Sequence, residues 1–223
     1  MLVLGIDDSG RGPIIGPMVL AGCLIEEEMD QEFKAHGVKD SKKLTPRKRR
    51  FLAKLIKQKA IAYHVVQANP TEIEMKMKTG TNLNSLEAIK AAEIINKLNK
   101  GIEPIKVILD CPSPNRKAWE IYLKKFVNNK DNLEFVVEHK ADVNYPSVSA
   151  ASILAKTTRD AEIEKIKKKI GVNFGSGYPA DPLTCKFLRD YSKKHENDGI
   201  FRKTWQTWKD VCKEREQKNL KDF

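Results

Sequence analysis

The sequence predicts an α/β fold that begins antiparallel and continues through strand–helix–strand crossovers. Three observations carry this. Short apolar runs alternate with longer segments of helical periodicity. The first two apolar runs are joined through a Gly/Pro-rich turn. The segment "VILD" is apolar until its final Asp, as a central parallel strand buried on both faces should be.

"LVLGID" (2–7) reads as a strand ending on Asp7, and "PMVLAGCLI" (17–25) as the next. "EEEMDQEFKAHGVKD" is a charged connection. "TPRKRRFLAKLIKQK" (45–59) is a helix capped by Thr45, with Pro46 in the first position and Phe51, Leu52, Leu55 and Ile56 as its apolar stripe. "IAYHVVQA" (61–68) is a third strand, stopped by Pro70. A helix over 81–99 carries Leu86, Ile89, Ile94, Ile95 and Leu98. "KVILD" (106–110) is the fourth strand, 115–127 a helix and "LEFVVEH" (133–139) the fifth strand. A long helix spans 147–171. The loop "GVNFGSGYPADP" follows, then helices near 183–195 and 203–217. There is no repeat and no low-complexity segment.

The 223 residues fit one large domain, or one with a small appendage. Hydrophobic residues at 40% suffice for a sizeable core and exclude a disordered chain. Lys and Arg outnumber Asp and Glu by 41 to 30, a formal charge of +11, which calls for a polyanionic partner, nucleic acid first and an acidic membrane surface second. No apolar run reaches the roughly 18 residues of a membrane span. The first apolar run is cut at Asp7 and has no basic segment before it, unlike a signal peptide. A soluble, cytoplasmic, monomeric protein is the expectation. Cys23, Cys111, Cys185 and Cys212 form no C-x-x-C pair, and the four histidines form no metal motif. Chemistry must then run on carboxylates.

Ligands gather at the carboxyl ends of strands in such sheets. Asp7 and Asp110 stand at strand ends, Asp8 follows Asp7, and Asp142 comes three residues after the fifth strand. Converging acids in a basic protein suit Mg²⁺ or Mn²⁺, which favour hard oxygen ligands. Two such ions roughly 4 Å apart can serve phosphodiester hydrolysis. The plain alternative is that each Asp caps a turn. Gly10 and Gly12 either permit a tight turn or let backbone approach a ligand, such as a sugar 2′-hydroxyl. Arg11, Lys42 and Lys43 are either solvated charges or phosphate contacts. Tyr178 either packs on a helix or stacks on a base or sugar.

"GIDDSGRGPIIGPMVLAG", "KDSKKLT", "ILDCPSPN", "EHKADVNYPSVSAASILAKTTRD" and "GSGYPADPLT" occur in one order over residues 1–210. On these motifs the chain resembles ribonuclease HII, most closely the single-chain archaeal type. The resemblance implies a ribonuclease H-like mixed five-stranded sheet flanked by helices, with a helical C-terminal extension. Residues 1–180 would form the catalytic domain and 181–223 the extension. It implies Mg²⁺- or Mn²⁺-dependent cleavage of RNA in RNA/DNA hybrids. It also implies cleavage 5′ of ribonucleotides embedded in duplex DNA, leaving a 3′-hydroxyl, in primer removal and excision repair. The family's catalytic and metal-binding acids fall on Asp7, Asp8, Asp110 and Asp142. Its ribonucleotide-sensing triplet falls on Gly10, Arg11 and Gly12, its stacking tyrosine on Tyr178, and its phosphate-side lysines on Lys42 and Lys43. The family usually has Asp-Glu-Ala before Gly-Arg-Gly where this chain has Asp-Asp-Ser, so Asp8 is one methylene short of the usual acid. Competing readings are a DNA-cutting nuclease or recombinase of the same fold, and a non-catalytic nucleic-acid-binding module.

The tail "QKNLKDF" (217–223) has Gln217, Leu220 and Phe223 at Q-x-x-L-x-x-F spacing. This looks like the peptide that inserts into the sliding clamp PCNA, with one aromatic where the usual pattern has two. The alternative is a solvated tail. A single 3₁₀-like turn would set Leu220 and Phe223 on one side.

Overall fold

The computed structural model describes residues 1–38 and 44–221, from 218 on as backbone alone. A five-stranded sheet has the order β3-β2-β1-β4-β5. Its strands are β1 (Leu2–Ser9), β2 (Met18–Glu26), β3 (Ala62–Ala68), β4 (Ile105–Asp110) and β5 (Leu133–Glu138). β1 pairs with β2 antiparallel and with β4 parallel, and β4 pairs with β5 parallel. The expected mixed sheet is therefore present, with "VILD" flanked on both sides by parallel neighbours. β1 does not end at Asp7. It runs on through Asp8, paired with Leu20, to Ser9, paired with Val19.

Helices α1 (Met29–Ala35), α2 (Pro46–Lys59), α3 (Pro70–Lys78), α4 (Leu83–Leu98), α5 (Arg116–Lys124), α6 (Ala141–Asn144), α7 (Pro146–Ile170), α8 (Pro182–Tyr191) and α9 (Gln206–Lys221) complete the described chain. Thr45 caps α2 as expected, its hydroxyl accepting the Lys48 N–H, with Pro46 in the first turn. The apolar face of α2 differs from expectation: Leu52, Ala53 and Ile56 are buried, whereas Phe51 is 58% exposed. Three helices were not legible. α1 buries only Phe33, too little for a periodic pattern. Pro70, taken as a strand stop, is also the first residue of α3, where Asn69 caps by accepting the Glu72 N–H at 2.8 Å. α6 is a single turn entered through Lys140 in the left-handed region, φ 57°. No helix among the described residues is long and apolar enough to cross a membrane.

The chain forms two compact units, Met1–Ser9 with Val19–Gln67 and Asn82–Thr158, and Gly10–Met18 with Ala68–Thr81 and Arg159–Phe223. In the first, β1, β2, α1 and α2 bury Val3, Val19, Ile25, Phe33, Leu52 and Ile56 with the small-residue face Val148–Ala155 of α7. Gly5 is required here: a Cβ would lie 2.2 Å from the Ser147 backbone, so its absence lets α7 start directly against β1. In the second unit Phe174, Phe187, Phe201 and Trp208 form an aromatic core with Ile14, Ile15 and Ile163. None of the four cysteines forms a disulfide, and burial pushes the Cys23 thiol up to about 12, as suits an inert one.

Candidate active site

The parallel register pairs Ile6 of β1 with Leu109 of β4. The next residue on each strand is an acid, so Asp7 and Asp110 stand level on adjacent strands. Past β5, the left-handed turn at Lys140 points the Ala141 N–H at Asp110, whose Oδ1 accepts it at 3.0 Å. Asp142 follows one residue later, 3% exposed, with its Oδ1 lacking any hydrogen-bond partner. Asp7 is also buried, at 6% exposed, and its Oδ1 accepts the Asp8 N–H at 2.7 Å.

Burial raises the Asp7 carboxyl to about 8, with the Asp8 and Asp110 charges adding to the rise. Lys156 and a hydrogen bond from Ser152, both on α7, oppose it. Lys156 itself donates to the Ser152 hydroxyl. Asp7 thus sits buried beside two further acids, a setting that disfavours its charged form. Among the described residues, no three His, Cys, Asp or Glu side chains are already gathered where an ion could sit. The donor set still fits a hard divalent cation, since it is all carboxylate and includes the orphaned Asp142 oxygen. Side-chain rotation must complete any such site.

In the second unit, Gly10 has φ +92°, and a Cβ there would lie 2.6 Å from Arg159 and 2.8 Å from the Pro17 carbonyl. Only glycine is unstrained at such a turn. The buried Arg202 guanidinium holds this segment, donating to the carbonyls of Gly10 (2.6 Å), Arg11 (2.8 Å) and Gly16 (3.0 Å). The Gly177 carbonyl accepts the N–H groups of Ile14 and Ile15, which stitches the "GSGYP" loop to the same segment. Asp181 braces that loop by accepting from Ser176 N–H and Oγ–H at 2.7 Å each, bonds that hold its carboxyl below the usual range. Tyr178 is 39% exposed, with the Arg159 guanidinium 5.0 Å from its ring centre and its edge 3.7 Å from where a Gly12 Cβ would stand. Gly10, Arg11, Gly12 and Tyr178 are thus brought into one place.

Lys42, Lys43 and Phe223 lie outside the described residues. Gln217 is exposed and the backbone of α9 runs to Lys221, so the expected turn over Leu220–Phe223 lies partly outside the described residues. Sequence reasoning missed Ser152, Lys156, Arg159 and Arg202. The first three sit in a quoted motif, spaced to share one side of α7. Nothing in "FRKTW" marks Arg202 as buried.

The Ribonuclease HII family model matches residues 4–208. Ribonuclease HII of Thermococcus sibiricus is 40% identical over 98% of this chain and 96% of its own. That of Methanocaldococcus jannaschii is 42% identical over 99% of both. Among solved structures, ribonuclease H2 from Pyrococcus horikoshii superposes with TM-score 0.84 at 40% identity, covering 95% of this chain and 97% of its own. RNase HII of Archaeoglobus fulgidus, solved in complex with PCNA, gives TM-score 0.81 at 33% identity, covering 92% and 96%. Bst-RNase HIII in complex with Mn²⁺ shares the fold at TM-score 0.80 and 20% identity, covering 95% and 69%.

Proposed function

The chain belongs to the ribonuclease HII family, and on that footing we propose that it cuts RNA/DNA hybrids and duplex DNA 5′ of embedded ribonucleotides, leaving 3′-hydroxyl and 5′-phosphate ends. The enzyme class, a type 2 ribonuclease H endonuclease, follows from that membership. The observation that carries the site assignment is the level pair Asp7 and Asp110, with Asp7 buried and its carboxyl raised by burial and by its acidic neighbours. Asp7, Asp8, Asp110 and Asp142 would hold Mg²⁺ or Mn²⁺, as two ions. Such ions supply a water nucleophile at neutral pH and stabilise charge on the phosphate.

The protein's own groups do the placing. Lys156 and Ser152 steady Asp7, and the Ala141 N–H fixes one oxygen of Asp110. Gly10, Arg11 and Gly12 offer backbone groups to a 2′-hydroxyl, which is both donor and acceptor. Tyr178 presents a ring for the sugar beside them, and Lys42 and Lys43 take phosphates. Residues 1–180 act as the catalytic part and 181–223 as the extension, in the cytoplasm, in primer removal and ribonucleotide repair. The tail residues Gln217, Leu220 and Phe223 engage a sliding clamp, as the PCNA complex of the Archaeoglobus relative suggests.

The test is a labelled duplex with one ribonucleotide against an all-DNA control, with and without Mg²⁺ or Mn²⁺. Metal-dependent cutting of the first alone is expected. Asp110→Asn keeps size but loses a charged ligand, so turnover should nearly vanish while binding by the basic surface persists. Cutting of the all-DNA duplex, or normal turnover by this variant, overturns the reading.

A further inference from the structure

We propose that helix α2 is a second nucleic-acid contact, one that grips an unpaired strand running out from the duplex being cut. The identity of that duplex rests on the ribonuclease reading above. α2 is 14 residues long, "PRKRRFLAKLIKQK", with seven cations and no acid. At about 100° per residue, Arg47, Arg50, Lys54 and Lys57 fall with Phe51 on an arc of about 120°, opposite the buried Leu52, Ala53 and Ile56. The four cations repeat at i, i+3, i+7 and i+10, a line about 15 Å long at 1.5 Å per residue. All four are exposed. None has an ion-pair partner among the described residues, although Lys59 at the end of the helix pairs with Glu32 at 3.1 Å.

A solvated surface is the plain alternative, and the rest of the chain argues against it. On each of α3, α4, α5 and α7 at least one lysine pairs with an acid of its own helix: Lys78 with Glu74, Lys90 with Glu93, Lys124 with Glu120, Lys165 with Glu162. α2 has no such balance. Its first turn carries Arg47, Lys48 and Arg49 with no acid, the unfavourable sign for a helix N-terminus. Helix stability alone would not place them there.

The aromatics select the partner. Phe51 is 58% exposed, with Lys48 Nζ 5.3 Å from its ring centre. On the neighbouring edge strand β3, Tyr63 is 40% exposed under Lys57, at 5.4 Å. Exposed rings among cations are of little use to a duplex, whose bases are already stacked on one another. They suit an unpaired strand, whose phosphates meet the cations and whose bases stack on the rings.

The test uses the full-length protein without divalent metal. Binding is titrated across salt concentrations with a blunt RNA/DNA hybrid and with the same hybrid bearing a single-stranded extension. Wild type is expected to prefer the extended substrate and to show the steeper salt dependence on it. The R47Q/R50Q/K54Q/K57Q variant should lose that preference and lower the log–log slope by about 2–3, at about 0.7 per contact to a single strand. Its binding to the blunt hybrid should be unchanged. Phe51→Ala should weaken extended-substrate binding about fivefold or more without altering the slope, as loss of one stacked base predicts. Equal affinity of wild type for both substrates, or equal loss on both in the quadruple variant, overturns the proposal. Failure of metal-loaded wild type to cleave the blunt hybrid sinks the ribonuclease reading instead, since the binding comparison is read without cleavage.

Discussion

A buried carboxylate beside two others resists ionising, and Asp7 is held in that position. Its carboxyl is raised from 3.8 to about 8, chiefly by burial. In the unfolded chain it ionises near 3.8, whereas in the folded metal-free protein it keeps its proton to about 8. The stability it contributes is therefore fully present below the lower value and lost as pH rises through the upper one. Asn at this position never ionises. Metal-free Asp7→Asn is thus expected to gain on wild type in melting temperature from about pH 5 to about pH 9. Adding Mg²⁺ should close the gap at high pH, since only the wild-type carboxylate gains from the ion. A difference that stays flat with pH would mean that Asp7 ionises normally in the fold. Asp7 and Asp110 could be read from the sequence because each closes a run of apolar residues. Lys156 could not, since an ammonium among Ala and Ser is as common on a solvated helix face.

The turn Gly10–Gly12 and the loop bearing Tyr178 act as one element, because the Gly177 carbonyl ties the loop to Ile14 and Ile15 of the segment whose Gly10 and Arg11 carbonyls Arg202 holds. Tyr178 sits on the exposed side of this assembly, backed by Arg159. Tyr178→Ala should slow cleavage at a lone ribonucleotide about tenfold or more, the order of one stacking contact. Tyr178→Phe keeps the ring and should retain most of the rate. Equal rates for Ala and wild type would make Tyr178 a packing residue. Strands, long helices and the order of motifs were legible because periodicity and turn residues report them directly. α1 and α3 were not, since each buries a single Ile or Phe beyond its first residue and Pro70 serves equally as strand stop and helix start. Phe51 misled for a related reason: an apolar side chain in a helix reads as core, and only its place on the turn opposite Leu52, Ala53 and Ile56 exposes it.

For the whole molecule, a charge of +11 makes capture of nucleic acid fast and salt-sensitive, but it does not say where on DNA the enzyme is needed. A tail docking on a sliding clamp, as proposed above, would supply that address. α9 runs as helix to Lys221 and carries Gln217 on its exposed surface. With one aromatic, Phe223, in place of the usual two, the contact alone should be weak. Tethering nonetheless converts the search for substrate near the clamp into an intramolecular one, which can raise effective affinity about a hundredfold without new contacts. Titrating the clamp of the same organism against the full chain and a version ending at Glu216 should give weak binding for the first and none for the second. On clamp-loaded DNA with one ribonucleotide and limiting enzyme, the full chain should cut faster, and on the same DNA without clamp the two should be equal. Equal rates on clamp-loaded DNA would remove the clamp from the list of partners. Slower cutting by the truncated chain without clamp would assign the tail to the nuclease itself.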